Sequence, residues 1–139
     1  MEIPKDVYDH VVGVAVEMAN ASTVGATRSQ WRLHEELRQY CDALAVDGRD
    51  HPFLWETLGD FTSDSGVAIG YYQRALQQAQ HLGLIEGEAS ILLELARRQV
   101  DLGQPEQAYD FALRADAAAR QTDDLDLRRE ISQFLLEQS

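Results

Sequence analysis

The side chains best suited to chemistry are one cysteine, four histidines and a large set of carboxylates. Residues 34–38, His-Glu-Glu-Leu-Arg, come within one residue of the zinc-protease motif, but Arg38 stands where the second histidine ligand is needed. Cys41 lies about two helical turns from His34, which is too far along one helix for a catalytic dyad. We therefore predict a protein that is not an enzyme and needs no cofactor or metal. A hydrolase or transferase that uses His34 or Cys41 is the catalytic alternative.

The charge of the chain bears on the class of partner. It holds 24 acidic and 12 basic residues, which gives a formal net charge of -12. A field of this sign repels phosphate backbones and anionic membranes, and it accelerates encounter with cationic partners. Solubility alone would explain the acidic excess equally well. We expect no nucleic-acid or membrane partner.

Length and composition indicate one folded domain over residues 1–139, since 45% of the residues are hydrophobic and 26% are charged. No apolar run reaches the roughly 18–20 residues that span a bilayer. The first residues lack the basic start and apolar block of a secretion signal. The single cysteine, Cys41, is predicted to be a buried structural thiol. We therefore expect a soluble, cytoplasmic protein.

The elements that must position any binding site come from an internal repeat. One matched set lies at an offset of 40 residues (108 minus 68) and pairs Ala68 with Ala108, Tyr71 with Phe111, Ala75 with Ala115, and Ala79 with Ala119. An upstream set lies at an offset of 37 (92 minus 55) and pairs Trp55 with Leu92, Leu58 with Leu95, and Gly59 with Ala96. The small residues recur on one helical face, which lets a second helix approach closely.

These two segments resemble tetratricopeptide repeats of the longer type, over residues 52–121. The motifs Trp55-x-x-Leu58-Gly59 and Leu92-x-x-Leu95-Ala96 match the first helix of each repeat, and the alanine series match the second. The resemblance implies a short right-handed solenoid of helical hairpins that binds another protein. Gly66 and Gly103 are predicted to end the first helices, and Pro105 to begin the helix after Gly103. A plain helical bundle is the alternative.

Helices flank the repeats on both sides. Residues 1–46 are predicted to form an N-terminal hairpin, which is either a decayed repeat or a separate feature. Its first helix covers residues 4–20, a loop covers 20–26, and a capping box from Thr27 to Gln30 opens its second helix. Residues 125–137 are predicted to form a capping helix with a polar outer face. The fold class is thus all-α, with about seven helices. The expected buried positions of the flanking helices are Val7, Val11, Val14, Met18, Leu33, Leu37, Tyr40, Cys41, Leu44, Leu127, Ile131, Phe134 and Leu135.

The resemblance also implies where a partner binds, because the first helices of such repeats line a groove. The positions that match are Phe53, Glu56, Asp60 and Ser63 in one pair, and Ser90, Leu93, Glu94, Arg97, Val100 and Asp101 in the other. The family's best-known clamp uses lysines and asparagines to hold a peptide carboxylate, and acidic and apolar residues here make that clamp improbable. The pattern favours a cationic or amphipathic segment instead. Alternatively, Asp60 and Arg97 pair with each other.

The leading functional hypothesis is a binding protein that masks or escorts a basic partner, as toxin-immunity proteins and secretion chaperones do. A peptide-sensing or regulatory adaptor is the alternative, although residues 1–46 show no helix-turn-helix that would bind DNA. A homodimer is a further possibility, because Trp31, Phe53, Trp55 and Tyr71 could form an exposed seam.

Overall fold

The chain folds into seven α-helices joined by short turns. The computed structural model describes residues 2–138, and within that range no strand forms. The helices are α1 (Lys5–Thr23), α2 (Thr27–Val46), α3 (Pro52–Asp60), α4 (Ser65–Leu82), α5 (Ile85–Asp101), α6 (Pro105–Ala119) and α7 (Leu125–Gln138). The all-α fold class and the number of helices expected from the sequence are therefore confirmed for this part of the chain.

The buried faces of the flanking helices follow the hydrophobic periodicity. In α1 the buried side chains recur every three or four residues, and in α2 and α7 they form similar stripes. Of the thirteen positions named from the sequence, ten are buried, and Tyr40, Leu127 and Leu135 are partly buried against the same core. Cys41 has no exposed surface, as expected for a structural thiol. These stripes position α1, α2 and α7 against the repeats.

Four helices end at a glycine with a left-handed backbone. The glycines that follow α1, α2, α4 and α5 are Gly25, Gly48, Gly83 and Gly103. After α5, the Gly103 N–H bonds to the Val100 carbonyl, and the N–H of Gln104 reaches back to Gln99. This pattern satisfies carbonyls at the helix end, and the φ of 70° at Gly103 strains any residue with a Cβ. Pro105 then begins α6, as the sequence indicates.

The turn between α1 and α2 differs from the prediction. The helix α1 continues to Thr23 instead of ending near residue 20. The Gln30 N–H bonds to the Ala26 carbonyl at 3.0 Å, so Ala26 is the capping residue and Thr27 is already helical. No side chain caps this start, and the predicted capping box is therefore wrong. Because Gly25 reverses the chain abruptly, α2 begins one residue too early for Thr27 to act as the cap.

Gly66 does not end α3, which is a second correction. The helix ends at Asp60, and the Thr62 hydroxyl donates to the Leu58 carbonyl at 2.6 Å. The side chain of Asp64 caps α4 by accepting the Val67 N–H at 3.0 Å. Gly66 therefore lies in the first turn of α4, and its match with Gly103 at the offset of 37 has no structural counterpart.

The repeated alanines lie where paired helices approach. All six have no exposed surface, and they are Ala68, Ala75, Ala79, Ala108, Ala115 and Ala119. They line the faces that α4 presents to α3 and α5, and that α6 presents to α5 and α7. Because an alanine side chain is a single methyl group, the helix backbones can pack closely.

The positions of Gly59 and Tyr72 hold different residues in the second repeat. In the first repeat, a Cβ built at Gly59 would lie 2.7 Å from the ring of Tyr72, so only glycine fits there. The corresponding residues of the second repeat are Ala96 (59 plus 37) and Ala112 (72 plus 40), both fully buried.

Each helix packs mainly against the helices before and after it in the chain. The most extensive contacts join α3 with α4, α4 with α5 and α5 with α6, whereas α2 contacts α3 over a much smaller area. Smaller contacts also join α1 with α3 and α3 with α5. This arrangement is compatible with a stack of helical hairpins.

Candidate protein-binding face

The odd-numbered helices lie side by side and in parallel. The ring of Tyr8 on α1 stacks on that of Phe53 on α3, with centroids 5.3 Å apart. From α3 to α5, Glu56 accepts a hydrogen bond from Ser90 at 3.0 Å, and Arg98 donates to the Gly59 carbonyl at 3.1 Å. From α5 to α7, Arg97 pairs with Glu130 at 3.1 Å. We call the surface formed by Tyr8, Phe53, Glu56, Asp60, Ser90, Glu94, Arg97 and Glu130 the odd-helix face.

Glu56 is the most deeply placed carboxylate of this face. Its neighbours are mostly apolar, and among residues 2–138 the Ser90 hydroxyl is the side-chain group that donates a hydrogen bond to it. Burial raises the pKa of Glu56 to about 7, and the negative charges of Asp60 and Glu94 add to this rise, whereas the hydrogen bond from Ser90 opposes it. Glu56 thus keeps its proton to a higher pH than an exposed glutamate does.

Asp60 lies one turn further along α3 and is held by a tyrosine. The Tyr72 hydroxyl donates to its carboxylate at 2.6 Å. Partial burial raises the pKa of Asp60, although the hydrogen bond from Tyr72 opposes that rise. Arg97 pairs with Glu94 and Glu130 instead of Asp60, so the Asp60–Arg97 ion pair considered from the sequence does not form.

The remaining groove positions fall into exposed and buried groups. Phe53 is half-buried at the start of α3, and Ser63 is exposed in the turn beyond its end. Leu93 is only 1% exposed, so its side chain belongs to the core and offers almost no surface to a partner. Val100 and Asp101 are exposed near the C-terminal end of α5, where Asp101 accepts a hydrogen bond from Ser65 at 3.3 Å.

A cleft of about 520 Å³ lies between α5 and α7, and we call it the acidic cleft. Its lining contains five carboxylates and no basic residue, the acids being Glu86, Glu94, Asp124, Asp126 and Glu130. Arg97 offsets two of them from the edge of the cleft through its ion pairs. Within residues 2–138, no basic side chain lies within ion-pair distance of Glu86 or Asp124. Arg129 pairs with Asp126 at 3.8 Å, so the cleft keeps an excess of negative charge from Glu86 and Asp124.

Most acids of this cleft were not identified from the sequence. Only Glu94 was. Asp124, Asp126 and Glu130 lie beyond residue 121, where the repeat pattern ends, and Glu86 lies within the repeats at a position that was not assigned to the groove. Asp124 and Asp126 have the ordinary local role of acids at a helix start, where Asp124 accepts the Leu127 N–H at 3.1 Å. Their position opposite α5 depends on how α7 packs in the fold, and the packing of α7 cannot be predicted from the local sequence pattern.

A second cleft of about 520 Å³ opens at the N-terminal ends of α3 and α5, and we call it the apolar cleft. Its apolar walls include Pro52, Phe53, Leu84, Ile85 and Ile91. The polar side chains that line it are His51, Glu56 and Glu86. Glu86 and Gly87 line both clefts, so the two are adjacent.

The groups that suggested catalysis are used structurally. The His34 Nε2 lies 2.9 Å from the Thr62 hydroxyl, and burial lowers the pKa of this histidine. Burial raises the pKa of the Cys41 thiol to about 12, which suppresses the nucleophilic thiolate. No group of three or more potential metal ligands occurs among the described residues.

The aromatic residues considered for self-association differ in burial and position. Trp55 is buried and Tyr71 is half-buried against it, with ring centroids 6.4 Å apart. Trp31 is 69% exposed, on the first turns of α2 and apart from the odd-helix face. The four residues therefore do not form one continuous seam.

No protein-family model and no curated protein matches the sequence of this chain. In the part of the chain that the structure describes, none of the helices is both long enough and apolar enough to cross a membrane.

Proposed function

We propose that this protein is a non-catalytic scaffold, similar to tetratricopeptide repeat proteins, which binds a cationic or amphipathic segment of another protein on its odd-helix face. In doing so it masks or escorts a basic partner in the cytoplasm, as immunity proteins and secretion chaperones do. The observation that carries this proposal is the acidic cleft, in which five carboxylates line one opening without a basic residue.

The charge of the cleft supports a basic ligand. Ionised groups that face one another across a small opening repel, and a bound cation relieves that repulsion. The net charge of -12 acts in the same direction over longer distances and raises the rate of encounter. An anionic ligand would meet opposition from both effects.

The other end of the face supports an apolar side on the same ligand. Tyr8 is 45% exposed beside Phe53, and Val12, Ala15 and Ala19 continue its stripe along α1. The odd-helix face therefore changes from apolar at α1 to acidic at α7. An amphipathic helix with a basic face complements such a surface.

A synthetic amphipathic helix of leucine and lysine tests this proposal. We expect it to bind with a Kd in the micromolar range in isothermal titration calorimetry, and an increase from about 50 to about 300 mM NaCl should weaken binding at least tenfold. The counterpart with glutamate in place of lysine should not bind. Amide shifts in NMR spectra should map onto α3, α5 and α7.

A charge variant locates the effect. The double substitution Glu86→Gln/Asp126→Asn removes two exposed acids of the acidic cleft without removing a helix cap. It should weaken the binding of the lysine peptide about tenfold. The control Glu17→Gln/Glu36→Gln removes two exposed acids that line neither cleft, and it should leave binding within about twofold. Equal losses in the two variants, or amide shifts confined to α2, α4 and α6, would contradict the proposal.

A further inference from the structure

Glu56 lies at the boundary between the two clefts in an unusual setting for a carboxylate. It lines the apolar cleft, and the Ser90 hydroxyl that donates to it lines the acidic cleft. No basic side chain of residues 2–138 lies within ion-pair distance of it. A largely buried carboxylate with one side-chain donor can accept further hydrogen bonds.

The apolar cleft has the chemistry that a long cationic side chain needs. Phe53, Leu84 and Ile85 are partly exposed and provide walls on which the methylene groups of lysine or arginine can pack. Glu56 offers a charged acceptor within these walls, and Glu86 adds a second negative charge at the rim. A volume of about 520 Å³ is ample for one such side chain.

The helix ends around the cleft make a cation less favourable but do not exclude it. The N-termini of α3 and α5 meet there, and each carries a positive partial charge of about half a unit. The acids Glu86 and Glu88 lie in the first turn of α5 and offset this charge. With Glu56 included, the carboxylates exceed the two helix ends, so the local field remains negative.

We propose that the apolar cleft is an anchor site for one lysine or arginine side chain of the partner, whose cationic head pairs with Glu56 while its stem packs on Phe53, Leu84 and Ile85. This site rests on the proposed function, of which it names one specific contact. A bound cation also explains why a carboxylate lies within apolar walls, where its burial lowers the stability of the folded chain.

A small probe tests the anchor separately from the partner. In NMR titrations at pH 7.5, n-butylammonium should shift the methyl signals of Leu84 and Ile85 saturably, with a Kd in the millimolar range. The matched uncharged probe, n-butanol, should bind at least about fivefold more weakly. Equal binding of the two probes, or no saturable shift at these methyl groups with butylammonium, overturns the anchor.

Variants and a direct measurement on Glu56 complete the test. Glu56→Gln should weaken the binding of butylammonium at least about fivefold. Glu36 is an exposed acid outside both clefts, and Glu36→Gln should change the binding less than about twofold. In the unmodified protein, the carboxyl ¹³C shift of Glu56 should report a lower pKa when butylammonium is bound, which requires no variant to fold. An unchanged pKa contradicts the ion pair. If butylammonium does not bind while the lysine peptide still does, the proposed anchor site is wrong and the proposed function stands.

Discussion

At the scale of single residues, Glu56 shows how burial and charge compete. The carboxylate is held among apolar side chains with one hydroxyl donor, and its pKa is therefore raised to about 7. The sequence correctly indicated that α3 carries Glu56 on the same helical face as Phe53 and Asp60, because the spacing of these residues fixes it. It could not indicate how deeply Glu56 lies, since that depends on the turn between α4 and α5 that covers it.

The raised pKa of Glu56 makes stability depend on pH. The ordinary value is 4.5 and the folded value is about 7, so the folded state binds more protons between these limits. Stability should therefore fall as pH rises through this window, and the loss should be complete above the folded pKa. Glu56→Gln removes this titration. Between pH 5 and 8, urea unfolding should show the variant gaining about 2–3 kcal/mol relative to the unmodified protein.

Other acids near Glu56 do not obscure this comparison. Asp60 and Glu94 face it from α3 and α5, and both remain in the two proteins. The exposed substitution Glu36→Gln serves as the control and should produce no pH-dependent difference. A constant difference between the Glu56→Gln variant and the unmodified protein across this pH range would show that Glu56 titrates normally.

At the scale of helices, hydrophobic periodicity predicts which segments are helical and which face of each is buried. It predicts less well where a helix ends. The stripes of α1, α2 and α7 and the repeated alanines are buried as expected, because periodicity reports directly which face must leave water. The ends of α1 and α3 were misjudged, because left-handed glycine turns and the hydroxyl of Thr62 decide them locally. A glycine in the sequence marks a turn only where the chain needs a positive φ, which Gly66 does not have.

The contact between Gly59 and Tyr72 gives a prediction at this scale. A methyl group at position 59 would lie 2.7 Å from the tyrosine ring, which is packed in the core, so Gly59→Ala should destabilise the fold by about 1–3 kcal/mol. Gly70→Ala is the matched control on α4, because no atom lies within 4 Å of its added Cβ. It should stabilise by about 0.5–1 kcal/mol, since alanine is the better helix former.

Chemical denaturation of the two variants measures both effects. The opposite signs are the informative result, because each substitution adds the same methyl group to a helical glycine. If Gly59→Ala is as stable as the unmodified protein, the ring of Tyr72 has moved aside, and its hydrogen bond to Asp60 should then be altered.

At the scale of the whole molecule, the sequence predicted the class of fold but only part of the candidate face. Repeat spacing located Phe53, Glu56, Asp60, Ser90, Glu94 and Arg97, because equivalent positions in stacked hairpins recur. It did not identify Glu86 on α5, nor Asp124, Asp126 and Glu130 at and along α7, whose position follows from the packing of α7 on α6. It also placed Leu93 on the binding face, whereas packing buries that side chain. Such a face depends on tertiary contacts, and its charge can be summed only after those contacts are known.

The small contact between the α1–α2 hairpin and the rest of the molecule has a consequence for cooperativity. Helices α3 to α6 share extensive interfaces with their neighbours, but α1 and α2 reach them through few side chains, among them Tyr8 against Phe53 and His34 beside Thr62. In stacked hairpins, local opening is governed by interfaces between neighbours. We expect native-state hydrogen exchange of α1 and α2 to occur by opening at a free energy roughly 2 kcal/mol or more below that of α5 and α6.

One matched pair of substitutions separates this opening from global unfolding. Tyr8→Ala removes a ring that joins α1 to α3, whereas Tyr109→Ala removes a ring of similar exposure, 39% against 45%, from α6. The first should accelerate exchange in α1 and α2 alone, and the second should not affect them. Uniform exchange rates along the chain would mean that all seven helices unfold as one unit. If the hairpin does open separately, the apolar end of the odd-helix face is the part of the molecule that is transiently lost, and ligand binding should slow its exchange most.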